Sequence, residues 1–202
     1  MHIAWGPYLL ALLVIVLVPG PDFVLVTSNA ATGRRWGWIA AAGVTCGLLF
    51  HASAATLGLS ALLMTAPTAL FVVKAAGVGY LVFLGIQVLR KAGAEQQQPA
   101  AEVPRSGRAV FLRGLLIDVL NPKVMLMFLT LLPQAMDPGG DPMSQAALLS
   151  AVAVGAFGTW WIVVVPSVRK LSALFAQPRR RRAFERCCGA ALLAMAGSVA
   201  LT

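Results

Sequence analysis

The chain has 202 residues, 59% of them hydrophobic and 11% charged, with a mean hydropathy of +0.82 and a formal net charge of +9. Soluble domains carry charge at roughly a quarter of their positions, so these values exclude a soluble globular domain and predict an all-α integral membrane protein. At about 20 apolar residues per spanning helix, the chain has room for about six spans.

The first predicted span covers about 6–30 and is interrupted by Pro19-Gly20-Pro21-Asp22. Pro19 and Pro21 each remove a backbone donor and crowd the carbonyl four residues back, at Ile15 and Leu17. In hydrocarbon such freed groups need protein or trapped water, so a broken helix faces a buried cavity rather than lipid. Asp22 near mid-bilayer costs about 2.5–3.5 kcal/mol on insertion scales, and the retention of so costly an element points to a transport site. The first turn has no Lys or Arg, and the apolar run ends without a small-residue cleavage site. Residues 1–30 therefore read as mature protein rather than as a signal peptide.

The second span, about 37–64, is rich in small residues such as Gly37, Ala40, Gly43, Gly47 and Gly58, which permit close helix approach. His51 lies in its middle, as a proton relay or as a hydrogen-bonded packing group. The third span, about 68–90, follows the turn Thr65-Ala66-Pro67-Thr68 and contains Lys74, which can snorkel outward. From Ala92 to Gly107 a linker rich in Gln, Pro and Glu argues against packed structure. The fourth span, about 109–135, carries Asp118-Val119-Leu120-Asn121-Pro122-Lys123, in which Pro122 frees the carbonyl of Asp118. The side-chain amide of Asn121 either satisfies carbonyls exposed at this break or touches a substrate. The fifth span is about 143–168. The sixth is about 184–202, and its uncharged part, Cys187–Thr202, is only 16 residues, so it borrows the preceding turn with Arg186 snorkelling. Trp36, Trp38, Trp160 and Trp161 read as interface anchors or packing.

Fourteen of the 16 Lys and Arg fall in or beside three connections: two between spans 1 and 2, five around the 3–4 linker, and seven between spans 5 and 6. Basic loops are cytoplasmic, so these connections are predicted inside and both termini outside. The run Arg179 to Arg182 then enforces topology and meets anionic lipid rather than nucleic acid. Three spans followed by three invert the second half relative to the first, a 3+3 inverted repeat with helices 1 and 4 broken by matching proline motifs. The whole chain reads as one transmembrane domain: repeat 1 at about 1–91, a cytoplasmic linker at about 92–108, and repeat 2 at about 109–202.

Paired breaks are the best sequence pointer to a midplane site. The candidate substrate- and ion-binding residues are Pro19, Gly20, Pro21, Asp22, Asp118, Asn121, Pro122 and Lys123. Two negative groups and one positive suit a zwitterion or a titrating carboxylate. Asp22 can take a substrate ammonium while Lys123 and half-helix N-termini take its carboxylate; either Asp can instead carry a coupling proton. The alternative is a fixed Asp22–Lys123 ion pair tying the broken helices together. No zinc signature, nucleophile elbow, P-loop or dinucleotide fingerprint is present, so no enzyme, metal or cofactor is expected. Cys46, Cys187 and Cys188 follow no metal-ligand or disulfide spacing. A channel or non-transport membrane component and a membrane thiol-redox carrier are the rival readings, although neither broken helix holds a cysteine.

With Pro19-Gly20-Pro21-Asp22 and Asn121-Pro122-Lys123 in place, the chain resembles the LysE/RhtB family of bacterial amino-acid exporters over nearly its full length. Thr32-Gly33-Arg34-Arg35 followed by Gly37 and Gly43 is similar to the family's first cytoplasmic turn, and Lys74 to Leu81 with Gly85 to its third helix. Phe128 to Gln134, ending at Asp137-Pro138, is similar to the end of its fourth. The resemblance implies efflux of a small amino acid across the bacterial inner membrane, driven by the proton-motive force, with protons and lipids as partners and self-association open. The Asn-Pro-Lys form is closer to the branch exporting homoserine, threonine, leucine or related neutral amino acids. Asp118 departs from the family pattern, which implies an uncharged residue there, often Asn.

Overall fold

A computed structural model describes residues 3–65, 69–91, 106–175 and 177–200, and every regular element among them is an α-helix. In chain order these are α1 (Trp5–Leu17), α2 (Pro21–Thr32), α3 (Arg34–Thr65), α4 (Ala69–Lys91), α5 (Gly107–Val119), α6 (Pro122–Ala135), α7 (Pro142–Phe175) and α8 (Pro178–Ala200). Most of the predicted linker and residues 66–68 of the predicted turn lie outside the described residues.

The prolines that end one helix begin the next. Pro21 opens α2 and Pro122 opens α6, the first helical position, where a missing N–H is not needed and φ is already suitable. The result is two bent pairs: α1 turns into α2 by 50°, and α5 into α6 by 49°. Arg34–Gly58 and Pro142–Val168 are long and apolar enough to cross a membrane unbroken, and each bent pair adds a span if read as one.

The helices extend beyond the fifth and sixth predicted spans. α7 runs on to Phe175, and α8 begins at Pro178 rather than near 184. Arg and Lys are good helix formers, so both helices continue through charged residues past their apolar stretches. Pro178 at the first position fixes where α8 starts.

Small residues set the helix spacing, as the second span predicts. A Cβ on Gly114 would lie 2.6 Å from the carbonyl oxygen of Ala40, and one on Gly43 would strike the backbone of Phe111, so α3 and α5 cross backbone against backbone. α4 and α8 meet reciprocally: a Cβ on Gly85 would lie 2.9 Å from Leu193 Cγ, and one on Gly189 2.6 Å from Leu89 Cγ. The half-helices pack crosswise, α1 on α6 and α2 on α5.

Two apolar clusters result. The larger joins α1, α6, the middle of α3, the first half of α7, and α8, through residues such as Ile15, Leu48, Phe128, Leu149 and Leu192. The smaller joins α2, the start of α3, α5 and the later part of α7, through Val26, Ala40, Val110, Trp161 and Val164. The polar residues of both breaks fall where one cluster gives way to the other.

Candidate functional site

Lys123 ties the two breaks together. It sits in the first turn of α6, and its Nζ donates 2.6 Å to the carbonyl oxygen of Val18, the last residue before Pro19-Gly20-Pro21. Helix α1 stops there, so this carbonyl has lost its partner four residues on, and an ammonium replaces it. Gly20 makes room for the Asp22 carboxylate rather than for the lysine, since an added Cβ would lie 2.5 Å from Asp22 Oδ1 but at an ordinary 3.6 Å from Lys123 Nζ. Gly20 is also the N-cap of α2, in extended backbone and with no side-chain cap.

The second break is satisfied from two directions. Asn121 caps α6, its Oδ1 accepting from the Lys123 amide at 3.0 Å. The carbonyl of Asp118, freed by Pro122 as predicted, accepts from the Asn121 amide at 2.9 Å and from His51 Nε2 at 3.1 Å. A carbonyl can only accept, so His51 carries its proton on Nε2 in this contact. Its ring stacks on Phe128, centroids 6.4 Å apart. His51 therefore has a hydrogen-bonded packing position beside the break. The amide of Asn121 does not serve the exposed carbonyls, contrary to one of its two sequence readings: its oxygen caps the next helix, because a capping acceptor satisfies an otherwise orphaned N–H.

Asp22, Asp118 and Asn121 are each at most 4% exposed. Three of their polar atoms, Asp22 Oδ1, Asp118 Oδ2 and Asn121 Nδ2, are buried without a hydrogen-bond partner. Native interiors hold few such atoms because each costs about 1–3 kcal/mol, and more for a charge. Both aspartates lie within electrostatic range of Lys123 and of each other. The Asp118 side chain is pressed on α3, where a Cβ at Gly47 would meet its Oδ2 at 2.8 Å. The arrangement offers two acceptors and one amide donor at one place, beside an ammonium already bonded to protein.

The other polar residues of α2 turn inward on their own helix. Thr27, Ser28, Asn29 and Thr32 all donate to carbonyls three or four residues back. The chemistry is thereby concentrated at the breaks.

Sequence reading brought out Asp22, Asp118, Asn121, Lys123 and His51 but missed three features. The Val18 carbonyl was predictable from the helix stop, though its partner was not. Gly47 was read as a packing glycine, and it is also the surface against which Asp118 lies. The stacking of Phe23, next to Asp22, on Trp160 of α7 had no sequence signal.

Comparison with known proteins bears on the same motifs. The LysE type translocator family matches residues 13–202. The chain belongs to that family. Its members are transporters rather than enzymes, and this translocator is a multi-pass membrane protein. It is 32% identical over 180 residues to the threonine efflux protein of Salmonella typhi, covering 86% of this chain and 82% of that protein. The threonine efflux protein of Escherichia coli K12 is 29% identical over 179 residues, with the same coverage of 86% and 82%. The leucine efflux protein of Salmonella choleraesuis is 32% identical over 131 residues, 64% of this chain and 62% of that protein. No solved structure matches the chain.

Proposed function

We propose that this translocator exports a small neutral amino acid from the cytoplasm across the bacterial inner membrane, driven by the proton-motive force. The observation that carries the reading is the convergence of Asp22 Oδ1, Asp118 Oδ2 and Asn121 Nδ2, buried and unpartnered, beside Lys123 where the two broken helices meet. A zwitterion supplies what such a place lacks: an ammonium for a carboxylate and a carboxylate for donors. Asp22 takes the ammonium or carries the coupling proton. Lys123 and the uncapped N-terminus of α2 face the carboxylate. The names of the efflux proteins that the chain is similar to support an amino-acid substrate.

In this reading α4 and α8 complete six spans, arranged as two inverted three-span repeats with both termini outside. Three features support the repeat: the matching bends of 50° and 49°, the crosswise packing of half-helices, and the reciprocal Gly85–Gly189 approach. The last is the contact that a two-fold axis between α4 and α8 would produce. Topology is tested by thiol labelling in intact cells. Gly139→Cys is expected to be reached from outside and Gln98→Cys only from inside, and the reverse pattern overturns the inverted arrangement.

Function is tested by overexpression against a panel of amino acids and their toxic analogues, followed by efflux from loaded cells. Saturable efflux against a gradient that collapses with an uncoupler is expected. Non-saturable flux running only down the gradient would instead mean a channel.

A further inference from the structure

Helix α1 is fastened at the end away from its break. The amide of Ala4 donates 2.9 Å to the carbonyl of Ala135, the last residue of α6. One turn further on, the Tyr8 hydroxyl donates 2.6 Å to the carbonyl oxygen of Leu149 in α7. Tyr8 is buried, and Trp5 lies edge-on against it with ring centroids 6.4 Å apart. Among the described residues of the larger apolar cluster, Tyr8 is the one oxygen-bearing side chain. The turn that follows α6 is closed by Gln145, whose Oε1 accepts from the Asp137 amide at 2.7 Å and whose Nε2 donates to the Asp137 carbonyl at 3.0 Å. The smaller cluster is held differently. There α2 meets α3, α5 and α7 through apolar side chains, while its Thr, Ser and Asn side chains donate to their own helix.

We propose that Tyr8 is a gate latch: its hydroxyl on the Leu149 carbonyl holds α1 against α7, closes the approach to the breaks from the start of α1, and lets go when that side opens. This rests on the export reading, in which that side is the outside and the site opens to each side in turn. The bond can be broken and remade without damage to α7. Leu149 lies within that helix, where its carbonyl already accepts from the N–H four residues on and gives only its second lone pair to the phenol. Losing the phenol therefore orphans nothing on α7. The hydroxyl would be orphaned in a dry interior, but not once water reaches it. Tyr8 is in the first turn of α1, about 15 Å before Val18 at the rise of a helix. Water entering from that end meets Tyr8 before it meets the breaks.

Cysteine reporters one turn beyond Tyr8 on the same face of α1 test the latch: Ala11→Cys and, separately, Leu12→Cys, both at buried positions. Whole cells carrying the full chain are treated with a membrane-impermeant maleimide. Labelling is read by mass spectrometry of the reporter peptide, so the native cysteines stay in place. Tyr8→Phe keeps the ring and removes the hydroxyl. It is expected to speed labelling about five- to tenfold, the population shift that one hydrogen bond to a neutral group is worth. Unchanged or slower labelling would overturn the latch. A third reporter, Ala30→Cys, is buried in the smaller cluster and is labelled in inside-out membranes. Opening one side closes the other, so Tyr8→Phe is expected not to speed labelling there. Faster labelling at Ala30→Cys as well as on α1 would mean general loosening and would also overturn the latch. Faster labelling of the α1 reporters in inside-out membranes rather than in whole cells would keep the latch and reverse the orientation. Failure of the native protein to exchange any amino acid in proteoliposomes would instead overturn the export reading.

Discussion

The two helix breaks bend their helices almost equally, by 50° and 49°, yet they are satisfied in different ways. The second is held by its own residues and by α3: Asn121 caps α6, and His51 takes the carbonyl that Pro122 freed. The first has no side-chain cap on α2, and its Val18 carbonyl is held by Lys123, which belongs to the second. A break satisfied locally makes a frame. One satisfied from the opposing helix makes the two breaks depend on a single contact, Lys123 to the Val18 carbonyl.

Removing the strap between the breaks should have the largest effect. Lys123→Met is expected to insert and express normally but to lose most efflux, by tenfold or more, because the Val18 carbonyl and both aspartates lose their cation together. Near-normal efflux by a well-expressed Lys123→Met protein would show that the breaks do not depend on each other. Asp22→Asn comes next and divides two roles within the first break. If Asp22 carries the proton, the variant exchanges substrate between the two sides but does not concentrate it under a pH gradient. If Asp22 holds the ammonium, exchange itself weakens, because a charge-assisted bond becomes a neutral one worth about 1–2 kcal/mol less. Native behaviour in both assays would leave Pro-Gly-Pro as a hinge alone.

Smaller effects should come from the second break. Asn121→Ala removes the cap of α6 and is expected to cost about 1 kcal/mol of stability, read as a lower melting temperature in detergent, and to weaken transport as well, because its unpartnered Nδ2 is one of the donors at the site. Asp118→Asn should be milder for transport than Asp22→Asn. Its side chain lies against Gly47 while its backbone carbonyl makes the contact with His51, and an amide preserves that backbone contact. A transport loss equal to that of Asp22→Asn would make the two breaks chemically equivalent.

The smallest expected effect lies away from both breaks. Asp141 caps α7, accepting from the Ser144 amide at 2.8 Å, and hydrogen bonds from the Ser144 side chain first and its backbone second hold the carboxyl below its ordinary range. A group with a lowered folded pKa contributes stability above its ordinary pKa of about 4 and loses it as pH falls through the folded value. Asp141→Asn should therefore remove only a slight acid-side fall in stability, measured by thermal unfolding at about pH 3 and 6.

Much of this architecture was legible in the residues. Proline chemistry located both breaks and named the Asp118 carbonyl as orphaned, since the loss of an i to i−4 bond is a local event. Apolar stretches located the helices, and small residues in α3 announced the close crossing on α5. Helices α7 and α8 outrun the fifth and sixth predicted spans, to Phe175 and from Pro178, because an apolar stretch measures what lipid tolerates and not where helical hydrogen bonding stops; the fifth span itself matches Pro142–Val168.

The sequence by itself determined that the chain is helical, apolar enough for a membrane, broken twice by proline, and charged at those breaks. Each of these follows from composition or from bonds within about four residues. Only the tertiary structure decided that Lys123 reaches Val18, that His51 serves Asp118, and that Phe23 meets Trp160. Those pairs are 105, 67 and 137 residues apart in the chain. Such partnerships depend on which helix faces lie together after packing, and no local rule of backbone chemistry carries that information.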